Sequence, residues 1–326
     1  MSLSSYVELH AHSGFSFLDG ASHPEELVLR AKELGYPALA LTDHNGLYGS
    51  MEFARAAREE GLQPITGVEV SIDPCTVPGL EGFGVDSARR NGRPGLGDID
   101  PVALPATHEP IAPDIGFHLT LLAETPKGYA NLCRLLTQAH MDAEDRRNPL
   151  LPYPALLDPE RAQGIILLSG CRRSPLWAAL RDSTPAGETI LRQLLDSFGP
   201  WNVFMELQEN SVKGDRERNR RLARLADRFV VPVVATGNVH YHRPDRYRLQ
   251  DVLASIRNRT TLDNAHPVRR PNSLFHLATP EEMAHRFRSR PEAISNTLRI
   301  AQRCAAFDLT TDLGYEFPDF EGAGNG

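Results

Sequence analysis

Seven short apolar runs alternate with amphipathic helical segments, and that order predicts an α/β fold: a distorted (β/α)7 TIM-like barrel with a small helical C-terminal extension. The runs are Tyr6–Leu9, Ala38–Leu41, Pro64–Val70, His118–Leu122, Ile165–Ser169, Val203–Leu207 and Val230–Thr236. They are predominantly apolar, as strands of a parallel sheet covered on both faces must be. Residues able to bind metal recur at or near the ends of most of these runs, where barrels of this kind build their sites.

The helices between the strands carry their own signals. Ser22 with Glu25 three residues on reads as a capping box, with Pro24 in the opening turn and Gly35 at the stop. A second helix spans about residues 49–60, with Met51, Ala54 and Ala57 in phase and Gly61 ending it. Thr125-Pro126 opens a third, and Leu222, Leu225, Ala226 and Phe229 form the apolar stripe of a fourth. After Thr260 the alternation stops, leaving one helix capped by Thr279 with Glu282 and another around Ala293–Cys304. A barrel domain over residues 1–260 and a helical connector over 261–326 follow. Residues 73–116, with seven Pro and seven Gly among 44 positions, read as a long insertion loop.

Four scattered cysteines, none in a CxxC pair, exclude a disulfide framework and predict reduced thiols. No apolar run approaches the ~18 residues of a membrane span, and the opening MSLSSYVELH lacks the layout of a signal peptide, so a cytoplasmic protein with no membrane partner is expected. The net charge of −7 argues against a generally basic nucleic-acid binder, yet charge is segregated along the chain. Residues 213–303 hold 19 Lys/Arg against 9 Asp/Glu, leaving 16 against 33 elsewhere. Within that basic third, Arg216, Arg220, Arg224 and Arg228 recur every four residues, a pattern that fits a DNA backbone or equally a solvated helix face.

The chemistry begins at the first run, which leads into ELHAHSGFSFLDG. His10 and His12 alternate by two and point the same way from a strand end. On its own such a pair is satisfied as readily by two core histidines. The second run ends in LTDHNG, placing Asp43 and His44 at its exit, and the third carries Glu69 in TGVEV. Cys171 follows the fifth, although a Cys there is commonly a small buried hydrophobe. Asn238 and His240 follow the seventh in VVATGNVHYH. His118 breaks the pattern by standing at the start of its run. Imidazole, carboxylate and thiolate together are a transition-metal donor set.

The segments ELHAHSGFSFLDG, LTDHNGLYG, ITGVEV, FHLTLLAETPKGYANLCRLL, LLSGC and VATGNVHYH resemble the N-terminal PHP (polymerase and histidinol phosphatase) domain of bacterial C-family DNA polymerase III alpha subunits, with a closer likeness to the error-prone type. The tail, with HLATPEEMAHRF, NTLRIAQRC and LGYEFPDF, resembles the connector toward a polymerase palm. The resemblance implies two or three divalent metals held by His10, His12, Asp19, His44, Glu69, His118, Cys171, Asn238 and His240. Histidine-rich ligation makes Zn²⁺ or Mn²⁺ the expected ions, with Fe also suited. Asn238 departs from the aspartate common in the family; an amide offers one neutral oxygen and compensates less charge. Asp43 is expected either to orient His10 or His12 or to serve as a turn residue.

These expectations define a phosphoesterase-type domain acting in DNA replication or repair, with 3′–5′ exonuclease or other phosphoester hydrolysis as its reaction. The residues assigned to that reaction are His10, His12, Asp19, Asp43 and His44. Two other readings are a non-catalytic scaffold supporting a separate polymerase chain, and a small-molecule phosphatase of the histidinol-phosphate kind. No aspartate motif of a polymerase palm occurs in the sequence, so synthesis of DNA by this chain alone is not expected.

Overall fold

The computed structural model describes residues 5–81, 116–143 and 148–314, so most of the insertion at 73–116 and the C-terminal EGAGNG lie outside the described residues. Six strands form one sheet in the order β1 (Ala38–Leu41), β2 (Gln63–Ile72), β3 (Phe117–Ala123), β4 (Ile165–Leu168), β5 (Val203–Gln208) and β6 (Val233–Thr236). The helices are α1 (Pro24–Glu33), α2 (Ser50–Glu59), α3 (Pro126–Met141), α4 (Tyr153–Leu156), α5 (Pro159–Ala162), α6 (Pro175–Asp182), α7 (Thr184–Phe198), α8 (Asp215–Phe229), α9 (Tyr247–Arg257), α10 (Pro280–Arg286) and α11 (Pro291–Cys304). Among the described residues no helix is long and apolar enough to cross a membrane.

The first apolar run is not a strand of this sheet. Its segment makes isolated parallel bridges instead, Glu8 with Leu39 at one edge and Ala11 with Val239 beyond the other. The reason lies in where its donors go. Val7 N–H donates to Thr297 Oγ1 at 3.2 Å and His10 N–H to Glu8 Oε1 at 2.9 Å, so neither is available to a neighbouring strand. The α/β sheet is therefore curled, with both edges tied to one segment.

A second correction concerns direction. β1–β2, β4–β5 and β5–β6 are parallel, but β3 pairs antiparallel with both β2 and β4. Antiparallel neighbours need no helical crossover between them. Reversal also brings the start of β3 to the end of the sheet where the other strands finish, which resolves the anomaly of His118.

Local capping agrees with the sequence in most places and shifts in one. Thr125 Oγ1 accepts from Gly128 N–H at 3.1 Å, and Thr279 with Glu282 forms a reciprocal capping box. At α1 the cap is His23, whose N–H donates to Glu26 at 2.9 Å, one residue later than the expected Ser22 and Glu25. Ser22 instead accepts from His242 N–H at 2.9 Å, fastening α1 to the segment after β6.

Strand residues are buried on both faces. Leu39, Leu121, Leu167 and Met205 pack outward under the helices, whereas Leu9, Ala40, Ile166, Leu168 and Phe204 form an inner cluster with Ile300, Ala301 and Cys304 of α11. That helix is also hydrogen-bonded along the strand starts: Asn296 to Val233 O at 2.8 Å, Ala301 O from Gln63 at 2.7 Å, and Arg303 to Trp201 O at 2.6 Å. α11 thus fills the end of the inner core opposite His10, His12 and Glu69. Ile300 is fully buried; Ile300→Ala is expected to cost about 3 kcal/mol in urea unfolding, whereas Arg216→Ala on the exposed face of α8 should change stability by no more than about 0.5 kcal/mol.

Candidate metal centre

Both edges of the curled sheet deliver backbone to the same place. Thr42 N–H donates to Ala11 O at 2.8 Å, His12 N–H to Val239 O at 2.8 Å and Val239 N–H to His10 O at 2.9 Å. Held this way, His10 and His12 project together, both fully buried, with ring centroids 5.0 Å apart.

Glu69 is the hub. Its Oε1 lies 3.2 Å from His10 Nε2, and its Oε2 lies 3.6 Å from His12 Nε2, 3.1 Å from His44 Nδ1 and 3.2 Å from His118 Nδ1. The strand register explains this convergence: Glu69 is bridged to His44 on one side, and His118 pairs with Ser71, two residues along β2. Cys171 Sγ is 3.6 Å from His118 Nδ1. The approach depends on Gly170, which has φ +88° and where a Cβ would fall 2.2 Å from His118 O.

A second carboxylate, Asp19, faces His44 Nε2 at 3.3 Å and His240 Nε2 at 3.2 Å, and pairs with Arg257 at 3.0 Å and Arg270 at 3.5 Å. Asn238 is 6% exposed with φ +48°, a left-handed conformation that asparagine tolerates. Its Oδ1 is buried with no hydrogen-bond partner among the described residues. All nine residues implied as ligands therefore lie in or beside this region, and all are buried apart from His44, whose side chain is 22% exposed.

Two groups combine donor atoms within 4.8 Å of one another, His10 with His12 and Glu69, and His44 with Glu69 and His118. Several of these atoms, His10 Nε2, His12 Nε2, His44 Nδ1 and Glu69 Oε1, are buried without a hydrogen-bond partner among the described residues. Such orphaned atoms cost stability unless something satisfies them, and a shared cation does so for imidazole and carboxylate alike. A third group, His23 at the start of α1 with Glu25 and Glu52, is exposed and has no such orphaned atoms.

The charges respond to this crowding. Burial opposes ionisation of Glu69, but His118, His10 and His44 outweigh it and hold the carboxyl well below its ordinary range. Burial likewise opposes ionisation of Asp19, and His240, Arg257 and Arg270 outweigh it. Burial, then His44 and His240, push His12 well below its usual value, so its ring is neutral and able to ligate. For His10 burial is overcome by Glu206 and Glu69, which raise it.

A family model described as the PHP domain matches residues 8–210. The chain belongs to the PHP family. Over 98% of its length it is 37% identical to the error-prone DNA polymerase of Symbiobacterium thermophilum, of which it covers 27%. It is 31% identical over 93% of its length to the DNA polymerase III subunit alpha of Treponema pallidum, covering 24% of that protein. This PHP chain thus spans about a quarter of the length of the curated relatives it matches. Among solved structures, one described as a candidate metal-dependent phosphoesterase from Bifidobacterium adolescentis aligns with 73% of the chain and 88% of its own at 17% identity and a TM-score of 0.39, too distant to carry an argument.

Of the two readings of Asp43, orienting residue or turn residue, the geometry of this PHP domain favours the second. Asp43 does not touch His10 or His12: it accepts from Ser13 N–H and Oγ, both at 2.7 Å, and from Ser16 Oγ at 2.6 Å, and only Ser16 approaches His12, at 3.4 Å. The carboxylate that orients His10 is Glu206, 2.6 Å from Nδ1 and itself bonded by Thr236 Oγ1 at 2.5 Å, Gln208 Nε2 at 2.8 Å and Gly170 N–H at 3.1 Å. Sequence reasoning passed over it, although a lone Glu inside the apolar run VFMELQ is the signal of a paired buried charge. Glu8 was also missed. Its carboxyl is pushed up to about 7 by burial and accepts from Tyr6 Oη and Gly237 N–H, each at 2.8 Å.

Arg216, Arg220, Arg224 and Arg228 are exposed along α8. Arg220 pairs with Glu217 at 2.7 Å and Arg228 with Glu188. Glu206→Ala would leave His10 Nδ1, Thr236 and Gly170 without their shared buried acceptor. The expected cost is about 3 kcal/mol in chemical unfolding of the metal-free protein, and a variant as stable as the parent would show that Glu206 does not brace the centre.

Proposed function

We propose that this PHP chain is a metal-dependent phosphoesterase-type domain of a polymerase of the error-prone alpha class, acting on phosphoesters of nucleic acid, including 3′–5′ exonuclease hydrolysis. The observation that carries the reading is the pair of His/Glu groups sharing Glu69, with buried donor atoms that no protein group satisfies. The bridges that tie both sheet edges to residues 8–11 support describing the scaffold as a distorted seven-unit barrel.

His10, His12, His44, Glu69 and His118 are assigned to hold divalent ions, Zn²⁺ or Mn²⁺ foremost, with Cys171 beside His118. Bound ions supply polarisation of a phosphoryl oxygen and acidification of a water. The protein's own part is to fix the donors: Glu206 locks the tautomer of His10 through Nδ1, leaving Nε2 toward Glu69. DNA reaching the centre across the basic C-terminal third, and assembly with other polymerase segments, belong to the same proposal.

A specific observation favours a second reading, a scaffold without turnover. Asn238 stands where the family resemblance leads one to expect an aspartate, and its buried, unpartnered amide leaves less negative charge to offset bound dications. The discriminating experiment quantifies metal by mass spectrometry in the purified protein, then follows a 3′-labelled DNA primer with Mn²⁺ or Zn²⁺, using His10→Ala with His12→Ala as control. Metal together with cleavage that the double variant loses supports the phosphoesterase. Metal without cleavage of DNA or of small phosphoesters supports the scaffold. Absence of metal in protein loaded with either ion overturns both metal assignments. Independently, Glu206→Gln should weaken metal binding about 10- to 100-fold in a competition titration with a chromogenic chelator.

A further inference from the structure

The two donor groups both converge on Glu69, and Asp19 belongs to neither. Its surroundings explain why. One oxygen, Oδ2, faces His44 Nε2 at 3.3 Å and His240 Nε2 at 3.2 Å, while Oδ1 faces Arg257 at 3.0 Å and Arg270 at 3.5 Å. His44 presents its other nitrogen, Nδ1, to Glu69. An imidazole that ligates through one nitrogen donates the proton on the other, most often to a carboxylate. Asp19 is placed to be that acceptor and not a ligand.

Charge points the same way. A guanidinium stays protonated at every working pH. A third dication at Asp19 would therefore meet two fixed positive groups with one carboxylate to offset them, because Asn238 contributes an uncharged amide. Nor are the arginines loosely held: Arg270 lies 4.6 Å above the Phe275 ring, which packs against His240, and the Arg257 and Arg270 side chains are only 16% and 11% exposed. The Nε of each is buried with no acceptor among the described residues. Together they form a cationic wall beside the metal groups that asks for anionic oxygen.

We propose that Asp19, Arg257 and Arg270 stand in place of a third metal: the centre takes two divalent ions sharing Glu69, and the two guanidiniums receive the phosphoryl oxygens of the bound phosphoester. The inference rests on the reading that the centre binds metal at all, and it deepens that reading by naming the residues that recognise phosphate. Both arginines lie beyond the residues matched to the PHP family, which end at 210.

The test counts metal and measures phosphate separately. After loading with Mn²⁺ or Zn²⁺ and dialysis, the parent chain is expected to retain two ions, as is Asn238→Asp alone, since the arginines still occupy Asp19. Arg257→Gln with Arg270→Gln and Asn238→Asp should retain three. In thermal melts of the metal-loaded chain, inorganic phosphate should raise the melting temperature of the parent. Its half-saturating concentration should rise about tenfold or more in Arg257→Gln with Arg270→Gln, as expected for lost charged hydrogen bonds. Should the triple variant not fold, Arg257→Gln alone, altered at the partly exposed end of α9, carries the phosphate readout. Three ions in the parent overturn the inference and leave the metal reading standing, whereas no ions overturn both. Two ions in a triple variant that melts cooperatively, or an unchanged phosphate response, also overturn it.

Discussion

The segment from Glu8 to His12 is the constraint on which the site depends. It is held between the exits of β1 and β6 by hydrogen bonds to Thr42 and Val239, so the two edges of a curled sheet meet through one short length of chain. Loss of that pairing would separate His44, which leaves β1, from His240, which follows β6, and would release His10 and His12 from both. Glu8 reinforces the junction through its own side chain, accepting from His10 N–H at 2.9 Å and Gly237 N–H at 2.8 Å. Gly237 leaves room for this contact, since a Cβ there would lie 2.7 Å from Glu8 Oε2 and displace the carboxylate.

Around this junction the protein crowds five imidazoles, of His10, His12, His44, His118 and His240, with the carboxylates of Asp19, Glu69 and Glu206. Burial of so many polar groups has no rationale as core packing. Apolar side chains of equal volume would be at least as stable, and shifted ionisation concentrated in one region is a mark of function. The structure keeps the arrangement because the remainder is apolar and closed: α11 fills one end of the inner cluster with Ile300, Ala301 and Cys304, leaving polar residues to the other.

Much of this was legible in the sequence, for reasons that differ by element. Apolar runs of β-length survive any tertiary context in which both sheet faces are covered, and five of them became strands within a few residues of their expected limits, with the sixth trimmed to Val233–Thr236 because Val230 is an exposed left-handed cap. The direction of β3 was not legible, because periodicity carries no sign; only His118 at the wrong end of its run hinted at reversal. Side-chain capture of backbone donors, which turned Tyr6–Leu9 from a strand into bridges, depends on Thr297, some 290 positions away. The positions of the side chains that gather around Glu69 and Asp19 were readable from strand ends together with family likeness. Glu206 offered only the signal of a lone Glu in an apolar run, and Arg257 and Arg270 offered none, since their contacts with Asp19 exist only across the fold.

The charge segregation along the chain takes on a physical meaning once those distant pairs are seen. The N-terminal part is acidic and residues 213–303 are basic, and many of the opposite charges find each other within the fold. Arg243 reaches Glu33, Arg246 reaches Glu26, Arg303 reaches Glu124, and Arg257 and Arg270 reach Asp19. Exposed pairs of this kind contribute little stability individually, but each neutralises a basic side chain and so leaves less free positive charge than the sequence count suggests. The exception is the pair at Asp19. There two largely buried guanidiniums share one carboxylate, and the surplus positive charge stands next to the donor groups at Glu69. The proposed phosphate recognition thus rests on this inward-facing pair, whereas Arg216, Arg220, Arg224 and Arg228 face solvent along α8.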